Sequence, residues 1–269
     1  MLCHTLPRLA GLLTFAAFGV MAQVPDTLLL DDLTWTELRA AIQSGKSTII
    51  VPIGGTEQSG PHLALGKHNV RARVLAEKIA RQLGNALVAP VIAYVPEGGV
   101  NPPTAHMRFP GTITLSNAVF EQLLESAARS FKLHGFRDIV FLGDHGGYQQ
   151  SEKAVADRLN REWTASRVRA HAVPEYYRAA DSGFAQELKR QGYTEQEIGT
   201  HAGLADTSLS LAVDPRLVRG DRLSAAATAG VTEGVHGDPR RATAALGQVG
   251  VDAIVTQTVA AIKAATQPR

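Results

Sequence analysis

The chain has 269 residues, 45% apolar and 19% charged, enough to bury the core of one large domain or two small ones. Its 27 basic and 25 acidic side chains leave a formal charge of +2, too weak a field to recruit nucleic acid or an anionic membrane surface. The single cysteine, Cys3, excludes a disulfide framework, thiolate metal ligands and a cysteine nucleophile from the rest of the chain.

The first residues predict an address. Arg8 is the only formal side-chain charge before an uncharged apolar run, Leu9 to Val20, and Val20 and Ala22 supply the small residues of a cleavage site before Gln23. The run is shorter than the roughly 20 apolar residues a membrane span needs. A signal peptide is therefore expected over 1–22, with one mature domain over 23–269 in the periplasm or outside the cell. No membrane contact is expected once the leader is cut. Cys3 lies inside the leader, so no lipid anchor is expected there, and losing Arg8 lowers the net charge by one.

From there strand and helix signals alternate. Thr34 caps a helix that Gly45 stops near Ser44. Ser47 to Ile53 is a β-branched run too continuous to be half exposed, which predicts a buried parallel strand. A helix is expected from about Asn69 to Leu83, with Arg71, Arg73, Lys78 and Arg81 on its solvated side, then a strand over Leu87 to Tyr94. Ser116 or Asn117 caps a helix closed by Gly135, and Asp138 to Leu142 is a third buried strand. A helix from Tyr148 to Trp163 and a strand from Val168 to Val173 follow. Segment 175–200 reads as partly helical, 203–213 as a helix ended by Pro215, 218–238 as irregular, and 239–266 as one or two Ala-rich helices. This order argues for an α/β/α sandwich with a mostly parallel sheet, whose ligands sit beyond the carboxyl ends of the strands.

Three polar loops fall on that rim: 54–68, 143–147 and 200–208. They hold His62, His68, His145 and His201 with Glu57, Asp144 and Asp206. Each residue alone has a plain structural reading. His62 can bond its own loop, His145 can cap the next helix, and Asp206 can be merely solvated. Their recurrence after successive strands is what points to a site. Imidazole and carboxylate without thiolate suit zinc, with manganese or iron as alternatives. Neither GxGxxG nor GxxxxGK[ST] is present, and Ser59 lacks the G-x-S-x-G setting of a nucleophile elbow.

Five stretches, in order, resemble the creatininase (creatinine amidohydrolase) family: VPIGGTEQSGPHLALGKHN at 51–69, RFPGTITL at 108–115, IVFLGDHGGYQQS at 139–151, HAGLADTSLSLAVDP at 201–215 and GVHGDPRRATAALG at 234–247. The resemblance covers most of 33–266. It implies an amidohydrolase of cyclic amides or formamides, acting on a small molecule with two adjacent divalent metals, in a homo-oligomer. Carried over by position, Glu57 and His145 match metal ligands and His201 matches the proton shuttle. The departures are Ser59 for a ligand histidine, His68 for the bridging aspartate, Asp206 for a glutamate, Asp144 for an asparagine and Gly147 for a glutamate. A neutral imidazole offers one lone pair and cannot bridge two cations as a carboxylate does.

The expectation is thus an altered metal site, mononuclear rather than dinuclear, held by Glu57, His68, His145 and Asp206. Ser59, His62 and Asp144 are expected at the substrate or behind the ligands. The alternatives are a non-catalytic ligand-binding relative and a lactone hydrolase on the same scaffold.

Overall fold

The structure is a computed structural model that describes residues 26–267. The leader expected over 1–22 lies outside them. Four strands, β1 (Thr48–Ile53), β2 (Ala86–Val88), β3 (Asp138–Gly143) and β4 (Arg169–Ala172), form one all-parallel sheet in the order β2-β1-β3-β4.

Strand pleating explains the two-sided burial. Ile50 of β1 and Val140 and Leu142 of β3 point into one core, while Ile49, Val51, Ile139 and Phe141 point into the other. A strand buried on both faces needs apolar residues at every position, as TIIVPI and DIVFL supply. Each fully buried side chain of this size contributes about 1.5–3 kcal/mol.

Helices α1 (Trp35–Gln43), α2 (Lys67–Leu83), α3 (Asn117–His134) and α4 (Gln149–Glu162) begin and end close to the expected places. Local chemistry explains the ends. Thr34 and Glu37 close a capping box on α1, Ser116 caps α3, and Gly135, at φ 107°, stops α3. Helices α1, α3 and α4 line one core; α2 lines the other.

Three expectations need correction. Segment 218–238 is not irregular throughout, since Leu223–Ala229 is a helix. The second strand has three residues, not eight, because Pro90 has no N–H to continue the ladder; the chain rejoins β1 only through an isolated Ile53–Ile92 bridge. Arg71 is not on the solvated side of α2 but 3% exposed, although Arg73, Lys78 and Arg81 are exposed. The last helix is long and apolar enough to cross a membrane by length and composition alone.

That helix belongs to the core. After β4 come α5 (Pro174–Arg178), a five-residue π-turn (Ala179–Gly183), α6 (Phe184–Arg190), α7 (Glu195–Ile198), α8 (Leu204–Val213), α9 (Leu223–Ala229) and α10 (Ala244–Ala265). Val251, Ile254, Val255, Val259 and Ile262 of α10 are buried in the α2 side core. Gly247 lets α10 lie against α8, since a Cβ there would sit 1.8 Å from the Ser208 carbonyl oxygen.

Candidate metal site

The polar loops converge at the carboxyl ends of the strands. Glu57 follows β1, Glu97 follows β2, His106 lies in a short 3-10 turn (Ala105–Arg108), His145 follows β3, and His201 precedes α8. Asn69 on α2 braces the first loop, accepting from Gly55 N–H at 2.9 Å and donating to Thr56 Oγ1 at 3.1 Å. Gly55 has φ 150°, and a Cβ there would meet Glu97 Oε1 at 2.6 Å, so the loop approaches this carboxylate only as glycine. Two non-glycine residues also hold positive φ, Ala105 (46°) beside His106 and Ala202 (56°) beside His201. Left-handed backbone at alanine is strained, and such strain gathers where side chains must be aimed.

Glu57 is the centre, fully buried, and its two oxygens face different surroundings. Oε1 lies 2.8 Å from His68 Nε2 and 3.6 Å from Lys67 Nζ, with Ser59 Oγ donating at 3.5 Å. Behind it His68 Nδ1 is 2.6 Å from Asp144 Oδ2, which also accepts from Arg71 Nε at 2.7 Å. Tyr176 Oη donates to Asp144 Oδ1 at 2.8 Å. Asp206 accepts from Lys67 Nζ at 2.8 Å, Arg71 Nη1 at 3.0 Å and the Ala202 N–H at 2.9 Å. Every carboxylate in this inner half has partners.

The outer half is different. Glu57 Oε2 and both oxygens of Glu97 are buried without a hydrogen-bond partner. They face His106 Nε2, 3.2 Å from Glu57 Oε2, and His145 Nε2, 3.6 Å from Glu57 Oε2 and 4.0 Å from Glu97 Oε2. One donor atom from each of Glu57, Glu97, His106 and His145 falls within 4.8 Å of all the others. His201 donates Nε2–H to the Gln58 carbonyl at 2.9 Å, which leaves its Nδ1 lone pair 3.8 Å from Glu57 Oε1. Gln58 also reaches His106, with Nε2 3.0 Å from its Nδ1.

Charge states follow from these surroundings. Burial pushes the Glu57 carboxyl up, but His68 and Lys67 outweigh it and hold the group well below the usual carboxylate range. Burial and the Glu57 charge push Glu97 up to about 9. Burial lowers His145 to about 4 and His201 to about 3, and lowers His106 as well. Neutral imidazoles have a lone pair to give a cation. Gly147 N–H donates to His145 Nδ1 at 3.1 Å, so a cation held through Nε2 needs the other tautomer and the loss of that contact.

Of the residues expected from sequence, Glu57 and His145 stand in the group of converging donors, and His201 faces Glu57 beside it. His68 and Asp206 lie outside the group, and Asp144 sits behind His68 as an orienting carboxylate. Ser59 is buried beside Glu57, and His62 is buried on Thr207, 3.0 Å away. Glu97, His106, Lys67 and Arg71 were not expected. A signal for the first two existed: a glutamate and a histidine in a Pro/Gly-rich loop that leaves the same rim. Opening beside the site is a cavity of ≈100 Å³, lined by His145, Tyr177, Asp181, Thr200, His201 and Asp206 among others.

Known proteins resemble the chain in sequence and in fold. The family model described as creatinine amidohydrolase matches residues 31–262. The mycofactocin precursor peptide peptidase of Mycolicibacterium smegmatis is 30% identical over 221 residues, covering 74% of this chain and 78% of its own. The creatinine amidohydrolase of Pseudomonas putida is 28% identical over 207 residues, covering 73% and 76%. A creatinine amidohydrolase crystal structure superposes with TM-score 0.75 at 22% identity, covering 91% of this chain and 100% of the other, a likeness of fold. Zinc and manganese forms of creatininase share that fold. With its motifs in family order and the family model matched across nearly its whole described length, the chain belongs to the creatininase family of hydrolases.

Proposed function

We propose that this protein is a divalent-metal-dependent amidohydrolase that cleaves a C–N bond in a small cyclic amide or formamide. The observation that carries the reading is the outer half of the cluster, where three buried, unpartnered carboxylate oxygens face two neutral imidazoles. Two carboxylates and two imidazoles balance the charge of a divalent cation and offer the nitrogen and oxygen donors that zinc, manganese and iron accept. The ligand set then keeps Glu57 and His145 from the sequence reading and takes Glu97 and His106 in place of His68 and Asp206.

When bound, such an ion acidifies a water and polarises a carbonyl. The chain's own residues supply the rest. Asp144, held by Arg71 and Tyr176, fixes His68, and His68 fixes the Glu57 carboxylate. His201, with Nδ1 bare, would accept the proton of the attacking water and return it to the leaving nitrogen, a role worth ~10²–10⁴-fold. The ≈100 Å³ cavity beside the site offers room for a small ligand. Export by a leader over 1–22 and assembly as a homo-oligomer complete the proposal; N-terminal sequencing of the periplasmic protein and light scattering test them.

The decisive experiment starts from protein stripped with chelator and reloaded with Zn²⁺ or Mn²⁺, then assayed on cyclic amides and formamides. Turnover that needs the ion, vanishes in Glu57→Ala and Glu97→Gln, and falls ~10²–10⁴-fold in His201→Ala is the expected result. Protein that takes up no ion ends the reading. Protein that binds both ion and ligand without turnover leaves the non-catalytic alternative in its place.

A further inference from the structure

The inner half of the cluster contains its own cations. Lys67 is 0% exposed with its ammonium between Asp206 and Glu57, and Arg71, 3% exposed, spans Asp206 and Asp144. A buried charge survives only where its partners are close and complete, and both conditions hold here. Asp144, Asp206 and Glu57 Oε1 are met by Arg71, Lys67 and His68, which leaves Glu57 Oε2 and the two oxygens of Glu97 as the oxygens of the cluster with no hydrogen-bond partner.

We propose that Lys67 and Arg71 act as built-in cations that fill the inner half of the carboxylate cluster and limit the site to one divalent ion, seated on the Glu97 side. This inference rests on the metal reading above and sharpens it. A second ion beside Glu57 Oε1 would meet the Lys67 ammonium 3.6 Å from that oxygen. At such separations like charges in a buried site repel strongly, because little solvent screens them. It would also have to take Asp206 from two cations and the Ala202 N–H. Lys67 and Arg71 are positioning residues: they hold Glu57 and Asp206 in place and touch no reacting atom.

Native mass spectrometry of stripped full-length protein titrated with Zn²⁺ or Mn²⁺ tests the proposal. One ion per chain is expected at saturation, and a second only in Lys67→Met, which uncovers Asp206 and Glu57. Two ions in the unaltered protein overturn the inference and leave the proposed hydrolase standing, whereas no ion overturns both. One ion in the unaltered protein and one in a folded Lys67→Met overturn the role given to the lysine. Should that variant fail to fold, the Mn²⁺ form of the unaltered protein decides by electron paramagnetic resonance. The six-line spectrum of an isolated ion supports the proposal, and an exchange-coupled pair defeats it.

Discussion

The two halves of the carboxylate cluster share Glu57, yet they obey opposite rules. On the inner side, Asp144, Asp206 and Glu57 Oε1 meet Arg71, Lys67 and His68 at 2.6–3.6 Å. On the outer side, Glu57 Oε2 and Glu97 are as deeply buried and have no hydrogen-bond partner. The inner side is a finished ion-pair network that specifies geometry. The outer side is a group of buried acceptors with nothing to accept from, which makes thermodynamic sense around a cation. A site for chemistry is marked less by its residue types than by which of them remain unsatisfied.

Substitutions on the two sides should therefore move stability in opposite directions. The largest effect belongs to the inner side. Arg71→Met leaves Asp144 and Asp206 buried short of a partner, and should cost about 3–5 kcal/mol of unfolding free energy in urea denaturation. A loss below about 1 kcal/mol would mean that the network carries little.

Glu97→Gln should do the reverse in stripped protein. Burial and the Glu57 charge raise the folded-state pKa of Glu97 to about 9, far above its unfolded value. Between those two values the folded state binds the extra proton, so raising the pH withdraws stability at up to about 1.4 kcal/mol per unit. The variant should lack that slope and stand more stable than the unaltered protein at pH 8. It should also lose the thermal stabilisation that added Zn²⁺ or Mn²⁺ gives. Parallel melting curves for the two proteins from pH 5 to 9 would show the outer side to be unstrained.

His62, beside the inner half, gives a smaller effect with its own sign. Burial first, and Lys67 next, lower it to about 4, so it is neutral in the fold and gains a proton more easily when unfolded. Its contribution is present above about 6.5 and is lost as the pH falls through 4. Thermal midpoints of His62→Gln should converge on those of the unaltered protein as the buffer is taken from pH 7 to 4. The smallest effect is at the surface, where Arg158 pairs with Glu121 and Glu125 across α3 and α4. Arg158→Ala should cost no more than ~1 kcal/mol, screened by salt.

Legibility in the sequence differed in the same way. Glu57, His145 and His201 could be found because each closes a short motif directly after a strand or before a helix, where rim geometry follows from topology. Glu97 and His106 could not be placed, because Pro90 and the glycines of 96–111 break the periodicity that would have told where they point. Arg71 was read as solvated because a helix face in sequence is assigned by the company it keeps. Arg73, Lys78 and Arg81 made that face look polar, whereas Arg71 turns inward to carboxylates 73 and 135 residues away along the chain.

Hydropathy and spacing alone determined the alternation of strands and helices, the parallel sheet and the rim on which polar loops gather, since these follow from local propensity and strand burial on two faces. What only tertiary structure decided was which acids find a cation within the protein and which do not. That depends on contacts between side chains more than a hundred residues apart, such as Lys67 with Asp206. Their electrostatic energy varies with distance and burial, neither of which a linear pattern records.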